Sequence, residues 1–296
     1  MKKLLLFSIA ITLSVYAISQ NKQKADTAWK AGGTITLTAA QTGFTNWAAG
    51  GENSYSGNGR LGLFGNYVKN KTIWINNLDM AYGRASQSGL ALRKTDDFIE
   101  LNSKLGYKTS NSKWYYTMVF NAKTQFSNGY QYSDIDTIPD MVTSEPFAPL
   151  YINLAVGADY QPNKYLSVFI SPLNTKIIYV NDIKYSLQYS IDSAKNLRAD
   201  LGALVKLKYE KEIVKNINFL TKLNLFANYL ALNSVKDVDV NWEILITMNV
   251  FKMLSVNINT HLIWDNDVKY VNKNGTLSDA RVQFKEIFGA GLAYKF

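Results

Sequence analysis

From residue 33 to its end the chain repeats one pattern: segments of about ten to fifteen residues alternate apolar and polar side chains, with turn residues or polar loops between them. Successive side chains of a strand point to opposite faces, so alternation over that length specifies a strand with one apolar and one polar face. The segments are 33–42, 54–68, 72–85, 97–109, 113–127, 149–161, 165–175, 199–212, 216–230, 239–251, 254–265 and 283–296. In 113–127 one face is Trp114, Tyr116, Met118, Phe120 and Ala122, and the other carries Thr117, Asn121, Lys123 and Gln125. In 239–251 Val240, Trp242, Ile244, Ile246, Met248 and Val250 stand opposite Asn241, Glu243, Thr247 and Asn249. Segment 72–85 is less regular, because Asn76 shares a face with Trp74, Leu78, Met80 and Tyr82.

The connections alternate too. Short turns lie at 69–71, 111–112, 162–164, 214–216 and 252–253, and longer links at 43–53, 86–96, 128–148, 176–198, 231–238 and 266–282. Tight turns at one end and long loops at the other are what an up-and-down barrel produces when short turns face the periplasm and long loops face outward. The expected fold is therefore all-β: a transmembrane antiparallel barrel of about twelve strands, an even number that returns both termini to one side. A soluble sandwich or barrel also alternates. Against it stand the strand length, since about five or six residues is usual in soluble folds; the aromatic residues near strand ends (Tyr67, Trp74, Tyr107, Trp114, Tyr160, Trp264); and a second face too polar for a dry core.

Lys2 and Lys3 precede an apolar run from Leu4 to Val15, followed by Ala17-Ile18-Ser19, the layout of a cleaved export signal. The expected organisation is a signal peptide at 1–19, a short periplasmic segment at 20–32 and a single barrel at 33–296. After residue 20 no stretch offers the ~18 apolar residues of a membrane helix. With no cysteine, disulfides, thiolate catalysis and Cys-based zinc sites are excluded. The formal charge is +9, but the lysines are scattered rather than clustered, which argues against nucleic acid as a partner.

The last segment places Phe288, Ala290, Leu292, Tyr294 and Phe296 on one face. Leu292, Tyr294 and the terminal Phe296 resemble the signal by which outer-membrane barrels are handed to the barrel-assembly machinery. Asn46-Trp47-Ala48-Ala49-Gly50-Gly51-Glu52-Asn53-Ser54 resembles the NWxxGGxNS signature of an uncharacterised outer-membrane β-barrel family, a domain of unknown function. The segments 171–176, 225–229 and 239–243 are also similar to that family. The resemblance implies an envelope barrel and no established activity. Locally, Gly50 and Gly51 permit a chain reversal, with Asn46 and Asn53 able to bond the neighbouring backbone; the alternative is a binding loop folded toward the lumen.

By parity the lumen should receive Arg60, Lys104, Lys123, Lys206, Lys222, Glu243 and His261, with Asp79, Glu100, Asp159 and Lys285 among the other inward charges. Charges there either pair across the wall and fill the interior or line an aqueous pathway. His261 is the only histidine, which excludes a multi-histidine metal site. Neither metal nor cofactor is expected. Asp26-Thr27-Ala28, Asp136-Thr137-Ile138 and Asp192-Ser193-Ala194 resemble an O-glycosylation sequon. These readings make the chain a non-enzymatic integral protein of the bacterial outer membrane, reached by Sec export and bathed in outer-membrane lipid. Its expected role is that of a porin-like passive channel for small polar solutes. The alternatives are a closed barrel serving an envelope protein partner and, third, a lipid hydrolase using His261.

Overall fold

A computed structural model describes residues 28–42, 54–87, 92–110, 113–132, 140–230, 237–251, 253–271 and 276–296. Twelve antiparallel strands close into a barrel: β1 (Trp29–Thr42), β2 (Ser54–Lys69), β3 (Thr72–Gln87), β4 (Arg93–Lys108), β5 (Trp114–Thr124), β6 (Leu150–Tyr160), β7 (Leu166–Tyr179), β8 (Leu197–Val214), β9 (Ile217–Asn228), β10 (Val238–Asn249), β11 (Leu254–Trp264) and β12 (Gln283–Lys295). Each strand pairs with its neighbour in the chain, and β1 pairs with β12 to close the ring. All twelve expected strands are present. Two tight turns place an asparagine in the left-handed region, Asn70 (φ 54°) and Asn216 (φ 67°), a conformation whose steric penalty asparagine tolerates better than most residues.

Several boundaries differ from expectation, and two of the differences move residues from an expected loop or tail into the wall. β1 starts at Trp29, so residues 29–32 belong to the wall and not to a periplasmic segment: Trp29 is in register with Tyr67, and its ring lies 5.3 Å from Tyr67 and 5.5 Å from Trp74. β7 and β8 pair up to Tyr179 and Leu197, which shortens the expected 176–198 loop and puts Lys176 in the wall. The register of β7 shifts against both neighbours around Pro172. Proline has no N–H to give a ladder, and a bulge is where a barrel strand accommodates it. Opposite the bulge Gly157 leaves room for the Ile170 carbonyl, which any Cβ at that position would strike.

The outer surface is apolar. Tyr116 is 71% exposed, Phe288 72%, and Leu37, Met118, Leu173 and Leu292 are exposed as well. Trp29, Tyr67, Trp74, Tyr107, Trp114 and Tyr160 cluster at the end of the barrel that carries the short turns, with the Trp114 and Tyr160 rings 4.8 Å apart. An apolar band edged by aromatic rings is the surface a bilayer requires. One polar group on that face is satisfied internally: the Trp74 indole donates to Ser103 Oγ (2.9 Å), whose hydroxyl donates to Asn76 Oδ1 (2.7 Å). Asn76 Nδ2 in turn donates to the Gly65 carbonyl (3.1 Å). Unpaired polar groups in hydrocarbon cost several kcal/mol, so this chain of bonds is what lets Asn76 occupy the apolar face.

At the other end the long loops carry structure of their own. A 3-10 helix, Ile183–Tyr189, follows β7, and Gly129–Gln131 pairs with Met141–Ser144. Tyr185, Tyr189 and Ile191 pack with Ile178 and Val180, and Val142, Tyr151 and Val268 rest against them. Ser190 Oγ donates to the Asp267 carbonyl (2.7 Å), and Lys269 N–H donates to the Gln188 carbonyl (2.9 Å). The loop after β7 thereby reaches the loop after β11, four strands away around the wall, and the two bridge the mouth.

Candidate functional site: the barrel interior

The inner face divides into two sectors. One inward residue from each of β5 to β9 joins an apolar, dry cluster, Val119, Ala155, Phe169, Leu204 and Phe226, with Phe169 1% and Phe226 6% exposed. This corrects the expectation of a polar inner face throughout. From β9 round through β12 and β1 to β5, flanking that cluster, the inward side chains are charged and partly open to solvent, with Arg60 29% and Lys222 34% exposed.

The charged side chains of the open sector find partners both on neighbouring strands and across the lumen. Arg60, on β2, lies 3.8 Å from Asp79 and 3.8 Å from Glu243 on β10, four strands away around the ring. Glu243 also meets Lys222 (3.6 Å) and accepts from Asn259 Nδ2 (3.2 Å). Lys123 approaches Glu100 at 4.0 Å, and Lys123 and Arg60 both stand over the Phe98 ring, at 5.5 and 5.8 Å. Lys285, on β12, reaches Asp96 on β4 at 3.2 Å. Toward the short-turn end Lys104 donates to Asp159 (2.5 Å) and to Ser167 Oγ (2.9 Å). Gln161 and Ser167 supply further donors to Asp159, which is fully buried. Lys206 faces the lumen with no ion pair among the described residues. His261 stands in register between Glu243 and Lys285, its Nε2 3.0 Å from Asn241 Oδ1. It faces away from the acyl chains a lipid hydrolase would address.

The structure also assembles a group that sequence reasoning did not join. Lys176 donates to Asp239 (2.6 Å) and Asp265 (2.9 Å) and stands 5.5 Å from the Phe226 ring. Arg198 meets Asp267 (2.6 Å) and Asp200 (2.9 Å) beside it. Three of the sequence segments singled out above, 171–176, 225–229 and 239–243, thus meet at the outer mouth, where the Tyr229 hydroxyl also donates to the Pro172 carbonyl. Carboxylate oxygens of Asp239, Asp265 and Asp267 lie within 4.8 Å of one another. The Lys176 ammonium bonds two of them and serves as their counter-ion.

Of the remaining predicted residues, Asn46, Trp47, Gly50, Gly51 and Asn53 lie outside the described residues, as do Asp26 and Asp136. Ser54 begins β2, in register with Thr42 and Gln87. Leu292 and Tyr294 point outward, and Phe296 exchanges two backbone hydrogen bonds with Gly33 (2.9 and 3.0 Å). Asp192 is exposed and paired with Lys195 at 2.6 Å. In the outer loops Glu145 accepts from Lys184 Nζ (3.0 Å), Asn181 Nδ2 (2.8 Å) and the Tyr185 hydroxyl (3.0 Å). These bonds, the Lys184 one first, hold its carboxyl below the usual carboxylate range.

A family described as "Protein of unknown function (DUF3078)" matches residues 39–130, a span that includes the 46–54 signature and stops before the three segments gathered at the mouth. No curated protein matches the sequence. Among solved structures, the translocator domain of the autotransporter NalP from Neisseria meningitidis is similar at 11% identity and TM-score 0.39, covering 100% of this chain and 98% of that one. An outer membrane channel from Pseudomonas putida F1 is similar at 13% identity and TM-score 0.40, covering 93% and 97%. The NanC porin is similar at 9% identity and TM-score 0.40, covering 89% and 100%.

Proposed function

We propose that this chain is an integral protein of the bacterial outer membrane that acts as a small passive channel for small polar solutes. The division of the interior carries this reading. Phe169, Leu204 and Phe226 fill one side as a core would, while Arg60, Lys123, Lys222 and Glu243 stand partly solvated on the other. A barrel of this size either holds a narrow pore or is filled by its own side chains and loops; here the filling covers one sector, and the pathway follows the other. Charged groups along it present donors and acceptors to a solute that sheds part of its hydration. Residence in the outer membrane follows export with removal of residues 1–19 and insertion by the barrel-assembly machinery, for which Leu292, Tyr294 and Phe296 form the signal. Purified protein in planar bilayers should give discrete conductance steps. A silent bilayer, with folded protein verified by heat-modifiable migration, would overturn the channel.

A second reading, a barrel serving an envelope protein partner, draws on the outer loops. Phe147 (61% exposed), Ile183 and Leu187 are exposed apolar side chains on the cap, beyond the ends of the strands. Gentle detergent extraction and affinity recovery should return a second envelope protein with the barrel; recovery of the barrel alone would sink this reading.

A further inference from the structure

Of the inward basic residues in and beside the open sector, Arg60, Lys123 and Lys222 each stand within 4.0 Å of a carboxylate. Lys206 does not. Its Nζ has neither an ion pair nor a hydrogen bond among the described residues, although it is partly buried. The carboxylate whose field reaches it is Glu100, which already faces Lys123 and accepts from Asn102 and Asn121, while Lys104 and Lys222 add like charge. Lys206 also sits on the border of the dry sector: Phe169 is its register partner on β7, and Leu204 is the preceding inward residue of β8.

On its other side the register aligns two more donors. Lys206 pairs with Asn224 on β9, and Asn224 pairs with Asn241 on β10. With strands about 4.8 Å apart, the three side chains form an inward row about 10 Å long. Asn224 has no side-chain hydrogen bond among the described residues, and the one side-chain bond of Asn241 uses its oxygen, to His261. The row therefore presents an ammonium and two amide groups with unused donors. A cation beside an apolar wall is costly without a counter-charge, and the same low-dielectric surroundings strengthen its pull on an anion.

We propose that Lys206, with the Asn224 and Asn241 amides, is a binding site for small oxyanions, either carboxylate or phosphate. Phosphate or carboxylate oxygens fit this donor set, since charge-assisted bonds from an ammonium are short and strong and amide donors supply orientation. That the site biases passage toward anions rests on the channel reading above; that it binds them does not.

The test uses the full-length protein folded in detergent, with inorganic phosphate as the probe in titration calorimetry. Wild type should bind phosphate. Lys206→Gln should weaken binding at least tenfold, Lys206→Arg should retain it, and Lys208→Gln, at a lysine paired with Glu210, should leave it unchanged. Absence of phosphate binding in wild type, or equal binding by Lys206→Gln in protein shown to be folded, overturns the site. In bilayers under a potassium chloride gradient, wild type should reverse on the chloride side and Lys206→Gln should shift toward zero. Silent bilayers combined with Lys206-dependent phosphate binding would remove the channel and leave the site. Conductance with a reversal potential and phosphate binding both indifferent to Lys206 would do the opposite.

Discussion

The Arg60 guanidinium on β2 and the Glu243 carboxylate on β10 face each other at 3.8 Å across the lumen, although four strand steps separate them around the wall. The pair is a strut through the open sector, steadied by Asp79 behind Arg60 and by Lys222 and Asn259 around Glu243. Its 3.8 Å separations and partial exposure make it a weak contributor to stability, in the range of about 0–1 kcal/mol for solvated pairs, so its consequence is steric. Arg60→Ala should raise single-channel conductance severalfold while leaving unfolding within about 1 kcal/mol of wild type. Conductance equal to wild type would show that the constriction lies elsewhere.

Lys104 and Asp159 make the opposite case. Asp159 is fully buried and takes donors from Lys104, Ser167 and Gln161. Removing the lysine strands a carboxylate, and breaking such a pair from one side costs about 3–5 kcal/mol. Lys104→Met should therefore lower the denaturant midpoint sharply, and Lys104→Met with Asp159→Leu should recover most of the loss, because the buried charge goes with its partner. Equal midpoints for wild type and the single variant would refute the account.

How legible all this was depended on what each feature needs. The strands were legible because period-two alternation over ten or more residues has no other economical reading, and Asn70 and Asn216 marked their turns locally. The dry sector was not. Val119, Phe169, Leu204 and Phe226 sit at inward positions beside Thr117, Ser167, Lys206 and Asn224, and the polar residues of that face hid the apolar ones among them. Only register across β5 to β9 shows that they meet. Lys176 was hidden differently: its strand continues past a bulge at Pro172 that resets the parity, and its partners Asp239 and Asp265 arrive from β10 and from the end of β11. Asn76 read as an exception to the pattern, and the partner that explains it, Ser103, lies on the next strand.

The cap over the mouth has an acid-sensitive fastening. Glu145 is held below its ordinary value of 4.5, chiefly by the Lys184 bond and then by Asn181 and Tyr185. A lowered carboxylate favours the docked state above that ordinary value and loses the contribution as pH falls through the lowered one. The 3-10 helix Ile183–Tyr189 should stay docked from neutral pH down to that ordinary value, and it should loosen as the pH falls on through the lowered one. Amide exchange of residues 183–189 measures this directly. Glu145→Gln should reproduce the acid state at neutral pH; exchange that is indifferent to both pH and substitution would rule the fastening out.

The seam between β1 and β12 is where the barrel is most easily opened. Its ladder runs from Thr34–Lys295 to Ala39–Ala290, whereas every other seam of the barrel pairs ten or more residues. Gly33 and Phe296 extend that ladder by two backbone hydrogen bonds, and the Phe296 ring lies over Gly33 on the outer face. A Cβ at Gly33 would stand 2.6 Å from Phe296 Cζ, 2.7 Å from Leu63 Cδ2 and 2.9 Å from the Gly62 carbonyl oxygen. The ring could swing aside, but the carbonyl belongs to the β2 backbone and can yield only by moving the strand. Gly33→Val should therefore unseat Phe296 and weaken both bonds, each worth roughly 0.5–1.5 kcal/mol. Deleting Phe296 should remove the same bonds without any clash. Both variants should give a smaller heat-modifiable, protease-resistant fraction on refolding, with Gly33→Val the more severe because it also disturbs β2. If Gly33→Val refolds as fully as wild type, the seam tolerates the displacement, and closure of the barrel does not depend on how Phe296 is seated.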